Sequence, residues 1–288
     1  MASNWGGDRP SQVPAEILPP EGRDDPRSYG RMPGYDGDSG PIQPSPSRRS
    51  GGSRWATAPA TYTLVGINCA VYLAMVVSGV SASSPTVGEL LHWGANSGVL
   101  VLEHGDWWRL LTAAFVHIGL LHLATNMWCL WNLGLLGEPL LGPAGVVAVY
   151  VLTGVAGNLL STAVHPQIVG AGASGAVFGI AGVLILLLKA KLLPVPPEEI
   201  RRLRRSVIYF ALLNFVIGGT TMFLRTSIQI DNMAHLGGFL CGLALGAPLV
   251  PRIGSARSEF GVRSWVAYGG MTVLLLAFAY GLARSVPR

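Results

Sequence analysis

The chain has 288 residues, half of them hydrophobic and only 12% charged, with a mean hydropathy of +0.45. A soluble domain carries about 25% charged residues, so this balance excludes an ordinary soluble enzyme and points to a membrane protein. The net charge of +5 does not indicate a nucleic-acid partner, because the cations cluster at the ends of apolar runs.

In chain order, residues 1–56 are rich in Pro, Gly, Ser and Asp and lack hydrophobic clusters. Such a segment cannot bury enough surface to offset its ordering entropy, so it reads as a disordered tail, and it contains no apolar core of a cleavable signal peptide. A spanning helix needs about 20 mostly apolar residues, and seven runs approach that, at 60–80, 118–137, 144–164, 172–190, 206–223, 233–250 and 265–283. The stretch 81–117 mixes Pro85, Gly94, Asn96, Glu103 and Asp106 with Trp93, Trp107 and Trp108. This composition suits a structured element lying in the bilayer interface. Cys69, Cys129 and Cys241 all fall within apolar runs, far apart in sequence, and read as small buried residues rather than a disulfide or metal framework.

Orientation follows from the basic residues. Arg48, Arg49 and Arg54 precede the first run; Lys189, Lys191, Arg201, Arg202, Arg204 and Arg205 follow the fourth; Arg252, Arg257 and Arg263 follow the sixth. If seven helices alternate, all three zones face one side, which the positive-inside bias assigns to the cytoplasm. The fourth run then descends from outside to its anchor at Lys189, and 15 residues at 1.5 Å each put Ser174 roughly 22 Å above that anchor. In a hydrocarbon core about 30 Å thick this is some 8 Å below the outer edge. The glycine-rich GAGAS at 170–174 is irregular backbone, tolerated at that depth only inside protein or against a wet cavity.

Ionisable residues within spanning segments are functional candidates by default. His122 and Asn126 stand four apart and share one helical face, while His235 opens the sixth run. The even-numbered runs all descend from the outside, so His122, Asn126, Ser174 and His235 occupy one depth. Small residues at Gly182, Gly238 and Gly242 allow the fourth and sixth helices to approach closely. That approach would bring an imidazole, suited as a base, to a hydroxyl that is a weak nucleophile without one. Phe178, one turn below Ser174, is placed to pack on His235. Asn126 and His122 carry N–H donors for an oxyanion. Asp231, near the surface, is not assigned as a third member. His117 and His122 lack the HExxH pattern of a zinc site, and no metal is expected; His92, His104 and His165 read as interfacial.

Four motifs in order resemble the rhomboid intramembrane serine proteases: Trp107-Trp108-Arg109, His122-xxx-Asn126, Gly172-Ala173-Ser174-Gly175 and Ala234-His235-xx-Gly238. The resemblance covers roughly 55–285. It implies an all-α polytopic membrane protein with a six-helix rhomboid-like core and a C-terminal seventh transmembrane helix. It further implies Ser174 as nucleophile, His235 as base and His122 with Asn126 as oxyanion ligands, supported by Gly172, Gly175, Phe178 and Gly238, with no cofactor. Trp108 and Arg109 would belong to the interfacial insertion, and Glu138, after the second helix, to a structural acid. The family often carries Tyr at the position of Phe178; here the ring remains and the hydroxyl's hydrogen bond is lost.

The expected organisation is a cytoplasmic tail at 1–56, the core at 57–250, a basic cytoplasmic linker at 251–264, and the seventh helix with a short tail at 265–288. The C-terminus and the opening of the site would face the extracytoplasmic side of a cell membrane, and the expected partners are single-span membrane proteins and the lipid bilayer. Access to the site is expected to need movement of the fifth helix or of residues 224–232. The other readings are a catalytically silent rhomboid-like protein that binds or traffics client helices, and a transporter, although no internal repeat of the kind transporters show is found.

Overall fold

The computed structural model describes residues 58–191, 193–223 and 231–285; the expected tail at 1–56 and residues 224–230 of the expected cap lie outside these. Among the described residues, seven long helices each coincide with one apolar run: α1 (Pro59–Val77), α5 (Leu120–Leu141), α6 (Pro143–Val164), α7 (Ser174–Leu187), α8 (Pro197–Phe223), α9 (Asn232–Gly246) and α10 (Arg257–Ser285). Between α1 and α5 lie three short helices, α2 (Val87–His92), α3 (Gly98–Glu103) and α4 (Arg109–Thr112). The described strand is confined to β1 (Asn96–Ser97) and β2 (Val169–Gly170), which pair antiparallel.

Two helices begin earlier than hydropathy indicates. α8 starts at Pro197, so Arg201–Arg205 lie on its first turns rather than in a loop, and α10 starts at Arg257. Proline at the first helical position and Glu198 with Glu199 beside the positive end of the dipole favour that start. A polar helix can continue beyond lipid, whereas hydropathy registers only the apolar portion.

α1, α6 and α10 are long and apolar enough to cross a membrane. α7 is apolar but has only 14 residues, about 21 Å of rise, short of a bilayer core. Its surroundings explain this: α7 is buried along almost its whole length, packed mainly on α9 and α6 and further against α5 and α8. α10 is the opposite case, with Trp265, Val273, Leu274 and Phe278 all exposed, an apolar surface that suits lipid. Cys69 on α1 is likewise exposed, and only Cys241 of the three cysteines is buried, which corrects the reading of all three as buried. Hydropathy cannot separate a lipid-facing position from a core position, because both favour apolar side chains.

The contact of α7 with α9 depends on glycine. A Cβ at Gly238 would overlap the carbonyl oxygen of Gly175, and one at Gly242 that of Gly179. Small residues on both stripes let the backbones meet directly.

Glu138 sits within the last turn of α5, not beyond it. Its carboxylate is buried and accepts from Ala60 N at 2.9 Å, Thr61 N at 2.8 Å and Thr61 Oγ1 at 2.7 Å. The two N–H groups are orphan donors of the first turn of α1, which lacks a side-chain cap of its own. Glu138 thus ties α1 to α5.

The 81–117 segment is stapled by Arg109. Its guanidinium donates to Asp106 at 2.8 Å, to the Leu91 carbonyl at 2.6 Å and to the Ala95 carbonyl at 3.3 Å, with Cζ 4.4 Å from the ring centroid of exposed Trp108. Arg109 holds the Asp106 carboxyl below the usual carboxylate range, mainly through this hydrogen bond. Arginine presents several donors in one plane, which is what a loop with three separate acceptors requires.

Candidate active site

Ser174 is the first residue of α7. The chain reaches it through β2, which β1 holds in register with Asn96 opposite Gly170. Gly172 has φ +133°, a conformation that residues with a side chain rarely adopt, and its N–H donates to the Ala113 carbonyl at 2.9 Å. A Cβ on Gly172 would overlap the His122 ring, so the glycine provides both the turn and the space for the imidazole. One residue on, Ala173 N lies 3.5 Å from Nε2 of fully buried His117. The serine is therefore approached by a backbone bonded on both sides.

His235 lies in the first turn of α9. Asp231 is that helix's N-cap: Oδ1 accepts from Ala234 N at 3.0 Å, and Oδ2 accepts from the Ser161 hydroxyl of α6 at 2.5 Å. Both carboxylate oxygens are thus engaged, one in capping α9 and one in tying it to α6, and Asp231 also lines the cavity described below. The His235 ring stacks on Phe178 of α7, with centroids 4.4 Å apart and planes 22° apart. The phenyl ring supplies this contact in full. Phe178 is in turn 6.0 Å from the ring of Phe210 on α8.

His122 and Asn126 occupy the first turns of α5. One N–H of the Asn126 amide donates to the His122 carbonyl at 2.9 Å, leaving a second N–H. Nδ1 of His122 is buried and has no hydrogen-bond partner among the described residues, and its ring is 5.4 Å from that of His117.

These residues surround one cavity of about 420 Å³. Ser174, His235, His122, Asn126, Phe178 and Gly172 all line it, between walls from α5 and α8. Gly175 and Gly238 do not line it; they form the helix contact behind it. Among the described residues, no cluster of His, Cys, Asp or Glu could hold a metal ion.

Sequence reasoning overlooked three supports. His117 was judged only as a zinc ligand, and its bond to Ala173 crosses 56 positions of sequence, which no local pattern encodes. Ser161 was not singled out, and its partner Asp231 lies 70 positions away in sequence. Asn214 on α8, another cavity-lining polar residue, stood in an apolar run and had the same claim to notice as Asn126.

Fold and cavity together define an all-α, multi-pass membrane protein with a polar site sunk among its helices. Known proteins place it more closely. Residues 104–252 match the family model described as the Rhomboid domain. The chain is 31% identical over 222 residues to rhomboid protease GluP of Bacillus subtilis (strain 168), covering 77% of this chain and 39% of that protein. It is 30% identical over 211 residues to rhomboid protease AarA of Providencia stuartii, covering 66% and 73%. With RHOMBOID-like protein 5 of Arabidopsis thaliana it shares 34% over 170 residues, covering 58% and 52%. The chain belongs to the rhomboid family. It spans about half the length, or less, of several of these relatives.

Proposed function

We propose that this protein is an intramembrane serine protease that cleaves single-span membrane proteins within or beside their transmembrane helix. The observation that carries the reading is the shared cavity: a serine at a helix N-terminus and a histidine stacked on Phe178 line it together with His122 and Asn126. The names of the bacterial relatives GluP and AarA, both rhomboid proteases, support it.

In this reading the Ser174 oxygen attacks the scissile carbonyl carbon while its proton passes to the His235 ring. The oxyanion is met by Asn126, by His122, whose unpartnered Nδ1 supports such a role, and by the positive end of α7. Collapse breaks the C–N bond as His235 returns the proton to the leaving amine. Water, again deprotonated through His235, then releases the acid product. A helical substrate shields its carbonyls with its own hydrogen bonds, so the segment at the cut must unwind first.

The core comprises α1 and α5 through α9, with α10 an added seventh span. The basic zones around α8 and at Arg252, Arg257 and Arg263 support a cytoplasmic N-terminus, an extracytoplasmic C-terminus and a cavity open to the extracytoplasmic side. Purified protein in liposomes with a single-span substrate tests the chemistry. Ser174→Ala and His235→Ala should each abolish cleavage, and a fluorophosphonate should label wild type but not Ser174→Ala. Cleavage retained in either variant overturns the assignment.

A further inference from the structure

We infer that Asn214 and Thr125 form a substrate-binding pair that takes up backbone hydrogen bonds released when a transmembrane segment unwinds in the cavity. The inference rests on the protease reading and adds to it a substrate contact outside the reacting groups.

α8 has two faces. Tyr209, Leu212, Leu213 and Val216 are exposed, as lipid-facing residues should be. Phe210 and Asn214, four apart and so on one stripe, line the cavity instead. An asparagine within an apolar helix is costly unless its groups find partners. Asn214 has one: Nδ2 donates to the Phe210 carbonyl of its own helix at 2.8 Å. Among the described residues, that leaves one N–H and both lone pairs of Oδ1. On α5, at the exposed mouth of the cavity, the Thr125 hydroxyl donates toward the carbonyls of Leu121 and His122, each at 3.0 Å. Its oxygen retains acceptor capacity toward the same space.

The depth is right for such a role. Phe210 packs at the level of Phe178, which stacks on His235. Asn214 lies four residues further along α8, about 6 Å nearer its C-terminal end. The two polar groups therefore flank a cavity whose remaining α5 and α8 lining is Leu121, Cys129 and Phe210 together with the proposed oxyanion donors His122 and Asn126. An unwound segment placed there exposes peptide N–H and C=O groups that lipid cannot satisfy. Two lining residues with spare hydrogen-bonding capacity, one from α5 and one from α8, offset that cost. The ligand chemistry is thus extended backbone.

The test compares a substrate that must unwind with a reagent that need not. Wild type, Asn214→Leu, Asn214→Ser and Thr125→Val are reconstituted, and kcat/KM on a single-span substrate is measured beside the rate of fluorophosphonate labelling of Ser174. One lost hydrogen bond of ordinary strength should lower kcat/KM by about five- to ten-fold in Asn214→Leu, several times more than it lowers labelling, and Asn214→Ser should recover part of it. Introducing two helix breakers at the cut should shrink the deficit. Equal losses in cleavage and labelling, or a wild-type kcat/KM in Asn214→Leu with Thr125→Val, overturn the inference and leave the protease reading intact. Absence of both labelling and cleavage in wild type removes the protease reading and this inference with it.

Discussion

Replacing Gly238 by alanine tests how the two proposed catalytic residues are held together. The new Cβ would overlap the Gly175 carbonyl oxygen and lie 3.1 Å from the Gly175 Cα, so α7 and α9 must separate by about 1 Å to restore ordinary contact. Overpacking of this kind costs about 1–3 kcal/mol, and the gain from removing a helical glycine offsets about 0.5–1 kcal/mol of it. The catalytic effect should be larger. Gly175 adjoins Ser174 and Gly238 is three residues from His235, so the separation passes almost entirely into the distance between hydroxyl and imidazole. A 1 Å displacement of a reacting group costs on the order of 100-fold. Gly242→Ala is the control for packing, because its Cβ would overlap the Gly179 carbonyl oxygen one turn deeper, where stability is lost but the site is strained less. Gly270→Ala on α10, with open space around it, is the control for helix propensity and should be neutral or stabilising. Thermal unfolding and kcat/KM measured in the same lipid separate the effects. The reasoning fails if Gly238→Ala and Gly242→Ala lose activity in the same proportion at equal stability.

Three further outcomes follow from the contacts around the site. Glu138→Gln replaces one acceptor oxygen with a donor facing the N–H of either Ala60 or Thr61, and one buried donor left unmet costs about 1–3 kcal/mol; detergent-unfolding midpoints should fall accordingly, while Thr61→Val, which loses only the hydroxyl bond, falls less. Asp231→Ala removes the cap of α9 and the acceptor of Ser161, lowering stability by about 1 kcal/mol and slowing turnover through His235, whereas Asp231→Asn keeps a capping oxygen and should show a milder loss in both measurements. The Asp106 carboxyl is held below its ordinary value of 3.8 by Arg109, so its contribution to the 81–117 segment is complete above that pH and is lost as pH falls through the lower folded value; protease sensitivity of the segment should rise in acid, and Asp106→Asn should remove that pH dependence.

Much of the architecture was legible because membrane insertion is itself a sequence-local constraint. Each of the seven apolar runs contains one long helix, and the tryptophan-bearing stretch at 81–117 folds as short helices. The depth argument for Ser174, His122, Asn126 and His235 needed only helix rise and alternation, and all four line the cavity. Local sequence was less informative where helices pass beyond lipid, as at Arg201–Arg205, and where exposure to lipid resembles burial, as at Cys69. Glu138 illustrates the boundary: the family resemblance singled it out as a structural acid after the second helix, but its three donors lie 77 or 78 positions away in sequence.

The sequence by itself determined the class of molecule and the number of apolar runs, since periodicity and hydropathy are properties of one segment at a time. Only the tertiary structure decided which faces meet: that Gly238 lies on the Gly175 backbone, that His117 reaches Ala173, and that Asn214 turns toward the cavity. Those choices depend on the rotation of each helix about its own axis. That rotation is set by packing against neighbours, to which the local apolar pattern of a lipid-embedded helix is nearly indifferent.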